Sequence, residues 1–269
     1  MIEPNDIAAL DDIAFLARSA SRVRVLETLA SDPHDRAELQ AETGIPRATV
    51  GRIVTEFETR GWVKDDGRRY STSPLGSFLV AEFRSLLEGV KTMQKLRGVI
   101  EWLPTREFDF SLERFADADI TLPKPSNTSA PVERAAELVD EGDEVSILAF
   151  GSAPSVVEAG WRATVHGTQS FEIVFAADTL DDLVDDPDVG TWIRELAGCE
   201  RGAVLRYDDV VPYNLAVIDG TANFALVDEH GAPSALIEST DQEIYSWTVS
   251  TIDDYRRESD PFDPDALTS

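Results

Sequence analysis

Asp35-Arg36-Ala37-Glu38-Leu39-Gln40-Ala41-Glu42-Thr43-Gly44-Ile45-Pro46-Arg47-Ala48-Thr49-Val50-Gly51-Arg52-Ile53-Val54-Thr55-Glu56-Phe57 is the stretch on which the fold turns. Asp35 is a suitable N-cap for a short helix over Arg36 to Glu42. Gly44 follows that helix, and Pro46 suits the first turn of the next one, where no backbone donor is needed. In that next helix Val50, Ile53, Val54 and Phe57 recur at i, i+3, i+4, i+7 and share one apolar face. Ala37, Leu39 and Ile45 can pack beneath it. Upstream, Val23, Val25, Leu26 and Leu29 predict a helix that starts after Ser19 and ends at Ser31-Asp32-Pro33. Two helices joined by a tight glycine-containing turn make a helix-turn-helix.

The following residues extend the motif. Gly61-Trp62-Val63-Lys64 ends the helix and starts an extended segment, Asp65-Asp66-Gly67 is a turn signal, and Arg68-Arg69-Tyr70-Ser71-Thr72 returns as a second strand. A helix-turn-helix followed by a hairpin with basic residues around its tip is a winged arrangement. Over about Ser19 to Gly76 the chain resembles archaeal and bacterial winged-helix transcription regulators. The resemblance is carried by Ala37-Glu38-Leu39, Thr43-Gly44-Ile45, Thr49-Val50, Arg60-Gly61-Trp62-Val63, Tyr70, Pro74 and Gly76. The polar face of the third helix offers Arg47, Thr49 and Arg52 to base edges or phosphates in a major groove, with Arg36 on the second helix. Lys64, Arg68 and Arg69 in the wing would add backbone or minor-groove contacts. The partner expected is double-stranded DNA.

The overall charge of −27 argues the other way until it is divided along the chain. Residues 1–103 carry a net −2 and residues 104–269 a net −25. From Arg18 to Arg69 there are 10 basic and 9 acidic residues, a slightly positive stretch in an acidic chain. Basic residues are 20 Arg against only Lys64, Lys91, Lys95 and Lys124, the composition expected of a halophilic protein working in molar salt, with an acidic mesophilic domain as the alternative. In molar salt the Debye length shrinks to about 3 Å, so self-repulsion costs little. One cysteine, Cys199, excludes an internal disulfide and a cysteine metal cage. The start, Met1-Ile2-Glu3-Pro4-Asn5-Asp6, lacks a signal-peptide pattern. The longest apolar runs, such as Ile147-Leu148-Ala149-Phe150, fall far short of a membrane span. A cytoplasmic protein with no membrane partner is expected.

From Pro74 to Leu103 a long helix is expected. Leu79, Phe83, Leu86, Val90, Met93, Arg97 and Ile100 follow the alternating four-and-three spacing of a heptad seam. Such a seam can pair with its copy in a homodimer, or pack on either flanking domain. A homodimer is the favoured reading, because operator half-sites are commonly read by two-fold dimers.

Beyond a poorly periodic stretch at 106–131, helices and strands alternate. Helices are expected over 132–141, 154–164, 179–183, 189–197 and 242–258. Strands are expected over 144–150, 170–175, 204–207, 214–218, 223–227 and 236–238. This is an α/β sandwich around a mixed sheet. The complete expectation is an α+β winged helix-turn-helix domain over 1–76, a connecting and dimerisation helix over 77–104, and an acidic α/β effector-sensing domain over 105–269. Residues 202–258 resemble the C-terminal domain of the archaeal regulator family named for filament formation and methanogenesis. The matching residues are Val211 to Asp219, Phe224 to Gly231, Ala235 to Ser239, Trp247 and Asp254-Tyr255-Arg256-Arg257. The resemblance implies a transcription regulator whose C-terminal domain senses an effector or mediates assembly.

No Gly-x-Ser-x-Gly, Walker Gly-Lys-Ser/Thr or His-x-x-x-His occurs, and His34, His166 and His230 lie in unrelated contexts. No catalytic residue, metal site or cofactor is therefore assigned. The turn Phe150-Gly151-Ser152-Ala153-Pro154-Ser155 leads from a strand into a helix, where backbone N–H groups can hold an anion. Ser152 and Ser155, with Trp161, Arg162, Arg206 and Tyr213, are the candidate effector residues, and a small anionic metabolite is the expected ligand. Asp178, Asp181, Asp182, Asp185, Asp186 and Asp188 lack calcium-loop spacing and read as a solvated face. The function expected is sequence-specific DNA-binding regulation. A winged-helix protein-interaction module, or an enzyme with an appended regulatory domain, are the alternatives.

Overall fold

The computed structural model describes residues 4–263. The chain forms two compact units, the first ending at Lys91 and the second beginning at Thr92.

In the first unit α1 (Pro4–Ala17), α2 (Ala20–Ser31), α3 (Arg36–Thr43) and α4 (Arg47–Thr59) precede a hairpin of β1 (Val63–Asp65) and β2 (Tyr70–Thr72); α5 (Pro74–Leu96) follows. Local chemistry sets the boundaries. The Asp35 carboxylate accepts from the Ala37 and Glu38 N–H groups at 2.7 and 2.9 Å, and the Glu38 carboxylate accepts from Asp35 N–H at 2.8 Å. This reciprocal box satisfies orphan donors at the start of α3. Gly44, at φ +70°, closes α3 in the left-handed conformation that costs glycine nothing. Val50, Ile53, Val54 and Phe57 of α4 are all buried in one core with Val25, Leu26, Leu29, Leu39 and Ile45. Val63 pairs with Thr72 and Asp65 with Tyr70 in antiparallel register, which forms the expected wing.

Two features of this region differ from expectation. Helix α1 was not foreseen: only its C-terminal end packs inward, through buried Leu16 and half-buried Phe15, while Ile7, Leu10 and Ile13 stay exposed. Helix α5 stops at Leu96 rather than Leu103, and residues 97–103 turn instead. The apolar spacing continues there because Leu96, Val99 and Leu103 are core residues of the second unit. Of the expected seam, Leu79 and Phe83 pack in the first unit's core, whereas Leu86, Val90 and Met93 are exposed. Arg97 and Ile100 lie past the helix end.

The second unit continues with a 3-10 helix (Leu112–Asp117), β3 (Asp119–Thr121), α6 (Ala130–Glu141), β4 (Glu144–Ala149), α7 (Pro154–Val165) and β5 (Ser170–Ala176). Next come α8 (Ala177–Asp185), α9 (Pro187–Ala197), β6 (Gly202–Tyr207), β7 (Asn214–Ile218), β8 (Thr221–Val227), β9 (Pro233–Ser239), α10 (Gln242–Arg257) and β10 (Asp260–Pro261). The sheet is mixed, in the order β10-β6-β5-β4-β7-β8-β9-β3; β4, β5 and β6 run parallel and the other pairings are antiparallel. Both faces are covered, which is why β4 and β5 read as near-continuous apolar runs. Val145, Ile147, Phe171, Ile173 and Phe175 join residues of α6 to α9 in one core. Leu148, Val174, Phe224 and Ile237 join Ile244 and Ile252 of α10, and Phe115, in the other. The α/β mixed-sheet architecture is thus as expected. The two edge strands β3 and β10 and the 3-10 helix are additions within segments that carry no clear period. No described helix is long and apolar enough to cross a membrane.

Candidate nucleic-acid interface and ligand cavity

The outer face of α4 gathers three of the arginines singled out from the sequence. Arg36, Arg47 and Arg52 line one shallow groove with Ala48, Gly51, Thr55 and Glu56. Arg36 rests over the middle of α4, its guanidinium 3.7 Å from where a Cβ at Gly51 would lie, an ordinary contact distance. Its Nε donates to the Tyr70 hydroxyl at 3.0 Å, tying α3 to the wing's second strand. Arg47 and Arg52 are exposed, and Thr49 is half-buried beside buried Val50. Arg52 leans on Glu56 at 3.4 Å, but Glu56 is held mainly by Arg22, at 3.1 and 3.3 Å.

The wing carries Lys64, Arg68 and Arg69, all exposed. The Asp66 carboxylate accepts from the Arg68 and Arg69 N–H groups at 2.8 and 2.7 Å, which shapes the tip and holds its pKa below the ordinary aspartate value. Arg69 is paired with Glu38 at 2.6 Å, so one wing arginine is committed to α3. Among the described residues, no hydrogen bond or ion pair engages the side chains of Arg47, Lys64 or Arg68. The distinction between paired and unpaired arginines was not legible in the sequence, because the partners lie about 30 positions away.

The six candidate effector residues are not brought together. Arg162 pairs with Asp140 at 2.8 Å, and Arg206 with Asp181 at 2.5 Å and Asp208 at 3.2 Å. Trp161 stacks on Trp192 and donates to Glu195 at 2.7 Å. Tyr213 packs with Trp247 and Tyr255 of α10, and burial raises its phenol pKa. Ser155 is exposed on α7. At the turn after β4, the Phe150 and Gly151 N–H groups donate to the Asn214 side-chain oxygen at 2.9 and 3.3 Å. Two donors expected to receive an anion are therefore satisfied within the chain.

Ser152 alone of the six lines a cavity of about 390 Å³, on the sheet face covered by α6 and α7. Its walls are Val132, Ala135 and Leu138 of α6, Ile147 and Ala149 of β4, and residues of β7, β8 and β9. No lysine, arginine, histidine or acid lines it, so the anionic metabolite expected from the sequence does not fit here: nothing would offset the cost of burying its charge. Sequence reasoning missed the cavity because it is made by small side chains on elements far apart in the chain. Among the described residues, no group of three or more His, Cys, Asp or Glu side chains could hold a metal ion.

Residues 10–95 match the family model of the HVO_A0261 N-terminal domain, and residues 128–258 that of the middle domain of the methanogenesis regulatory protein FilR1. The resemblance to archaeal winged helix-turn-helix regulators with a C-terminal domain of the filament and methanogenesis kind thus holds in both halves of the chain. No curated protein sequence matches. Among solved structures, the archaeal chromatin protein TrmBL2 is similar at 12% identity and a TM-score of 0.40, over 94% of this chain and 99% of that one. Nuc, a phospholipase D family member from Salmonella typhimurium, is similar at 10% and 0.43, over 54% and 98%. NucT from Helicobacter pylori is similar at 12% and 0.38, over 54% and 98%. Likenesses at that level assign no function.

Proposed function

We propose, starting from the two regulator domains that the chain joins, that it is a sequence-specific DNA-binding transcription regulator acting as a homodimer. The observation that carries this reading is the outer face of α4: exposed Arg47 and Arg52, with Arg36 laid across Gly51, on the second helix of a helix-turn-helix. Helices so placed enter the major groove by their N-terminal half, where Arg47, Thr49 and Arg52 sit. Arg47 and Arg52 supply base or phosphate contacts and Lys64 and Arg68 the wing's backbone contacts. Arg36 and Arg69 shape the surface while adding to its charge. The exposed apolar residues Leu86, Val90 and Met93 of α5 support the dimer. A small molecule bound by the second unit modulates the DNA-bound state, and does so only through unequal affinity for the two states.

Fluorescence anisotropy with duplexes from upstream of the chain's own and neighbouring genes, in molar KCl, tests the reading. Binding to one such duplex, with unrelated duplexes of equal length at least a hundredfold weaker, is expected. Equal affinity for all duplexes, or none for any, overturns it.

A further inference from the structure

The cavity beneath α6 is walled by side chains too small to fill it. Ala135 of α6, Ala216 of β7 and Ala225 of β8 all line it, and the surrounding residues are Leu, Val, Ile and Pro in the main. The cavity is a half-open, mostly apolar cleft of the size in which proteins hold small ligands. Exposed Gly231 and Pro233, at the turn between β8 and β9, mark its mouth.

One polar residue in its wall is unexplained by the fold. Asn223 of β8 is only 3% exposed. Its side-chain NH₂ donates to the Thr221 carbonyl at 3.0 Å, while its Oδ1 has no partner. Buried polar groups are nearly always satisfied, and an orphan acceptor costs about 1–3 kcal/mol. A leucine would fill the same space at no such cost, so an asparagine here points to a ligand that donates to it. Its neighbours across the sheet are Ala216 on β7 and Glu238 on β9. Glu238 is bound at 2.9 Å by Arg134 of α6 and does not line the cavity.

We infer that this cavity binds a neutral, largely apolar small molecule bearing one hydrogen-bond donor, which Asn223 accepts. The inference rests on the reading of the second unit as a sensing domain and replaces its anionic ligand by an uncharged one. The remaining polar wall is Ser152 of the β4–α7 turn and Asn214 at the start of β7, whose side-chain oxygen already accepts from that turn.

The test uses the full chain in molar KCl and N-phenyl-1-naphthylamine, a neutral apolar dye with one N–H that fluoresces when desolvated. Saturable binding at one dye per chain is expected. Ala135→Phe and Ala225→Phe, which fill the cavity from opposite walls, should each weaken it at least tenfold while thermal unfolding stays cooperative. Asn223→Leu should weaken this dye by about two- to tenfold, the worth of one hydrogen bond, and leave 1-phenylnaphthalene, which lacks the N–H, unaffected. The anionic 8-anilinonaphthalene-1-sulfonate should bind at least tenfold more weakly than the neutral dye. No saturable dye binding, binding untouched by either filling variant, or tighter binding of the sulfonate overturns the inference. DNA binding measured on the same samples separates the two ideas. Dye failure with promoter binding intact sinks the cavity alone, whereas dye binding without promoter binding sinks the regulator reading alone.

Discussion

Arg52 and Arg84 form a matched pair for testing where the chain meets DNA. Their side chains are 65% and 64% exposed, and each makes one surface ion pair: Arg52 with Glu56 at 3.4 Å, Arg84 with Glu27 at 3.0 Å. Exposed pairs of this kind are worth about 0–1 kcal/mol, so truncating either arginine should leave the unfolding temperature nearly unchanged. The two differ in position. Arg52 lies in the groove on α4 with Arg36 and Arg47, whereas Arg84 sits on α5 outside it. An arginine that contacts a base or phosphate carries roughly 1–3 kcal/mol, and tenfold in affinity is about 1.4 kcal/mol. Arg52→Ala should therefore weaken promoter binding by about 5- to 150-fold, and Arg84→Ala by less than about twofold. Anisotropy titrations at several KCl concentrations read both numbers, and Arg52→Ala should also lower the slope of log affinity against log salt by about one if its contact is to phosphate. Equal effects of the two variants, with both proteins folded, would refute the placement of α4 in the groove.

Glu38→Gln keeps the capping box, since glutamine serves there as well, but removes the charge that holds Arg69 at 2.6 Å; promoter binding should tighten a few-fold and its salt slope steepen, and weaker binding would count against the wing contact. Val90→Asp places a charge on the exposed apolar side of α5, and light scattering is expected to report a dimer for the native chain and a monomer for the variant; equal masses would exclude α5 as the interface. Asp35 and Asp66 carry carboxyl pKa values below the ordinary aspartate value because backbone N–H groups donate to the charged form. Their stabilisation is present above the unfolded value of about 3.9 and is lost as pH falls through the lower folded values, so carboxyl NMR titrations should give both midpoints below that of an ordinary aspartate. Gly76→Ala should unfold the first unit near ambient temperature, because its Cβ would fall 1.9 Å from the Trp62 backbone carbonyl; a cooperative transition at the native temperature would show that the wing yields.

Much of the fold was legible because its determinants are local. Asp35 and Gly44 mark the ends of α3 by their own side-chain and backbone chemistry, and the i, i+3, i+4, i+7 face of α4 is the buried one. The alternating helices and strands of the second unit follow the same logic. What escaped reading depends on distant partners. The edge strand β3 exists because Ile120 pairs with Ile237, and nothing near residue 120 announces it. Leu96, Val99 and Leu103 keep an apolar spacing that a helix and a packed turn serve equally well. At the candidate site, residue type was legible but engagement was not. Arg206 pairs with Asp181 and Arg162 with Asp140, engagements that no pattern near either arginine announces. The cavity is defined by the side chains that do not reach into it, which no local pattern records.

A nearly neutral domain can still present unpaired cations. Most acids around the helix-turn-helix and wing are engaged inward or by backbone. Asp35, Asp65 and Asp66 accept from backbone N–H groups, Glu38 serves the cap and Arg69, Glu56 holds Arg22, and Asp12 pairs with Arg60. Among the described residues Arg47, Lys64 and Arg68 make no such hydrogen bond or ion pair, so their side chains stay available at α4 and the wing tip. Only a handful of phosphates can then be neutralised per chain, which gives a shallow dependence of affinity on salt. A reader built this way draws little from counterion release and depends on direct contacts and on the spacing of two half-sites. That division suits a chain whose other 25 excess negative charges lie at residues 104–269, outside the helix-turn-helix and wing.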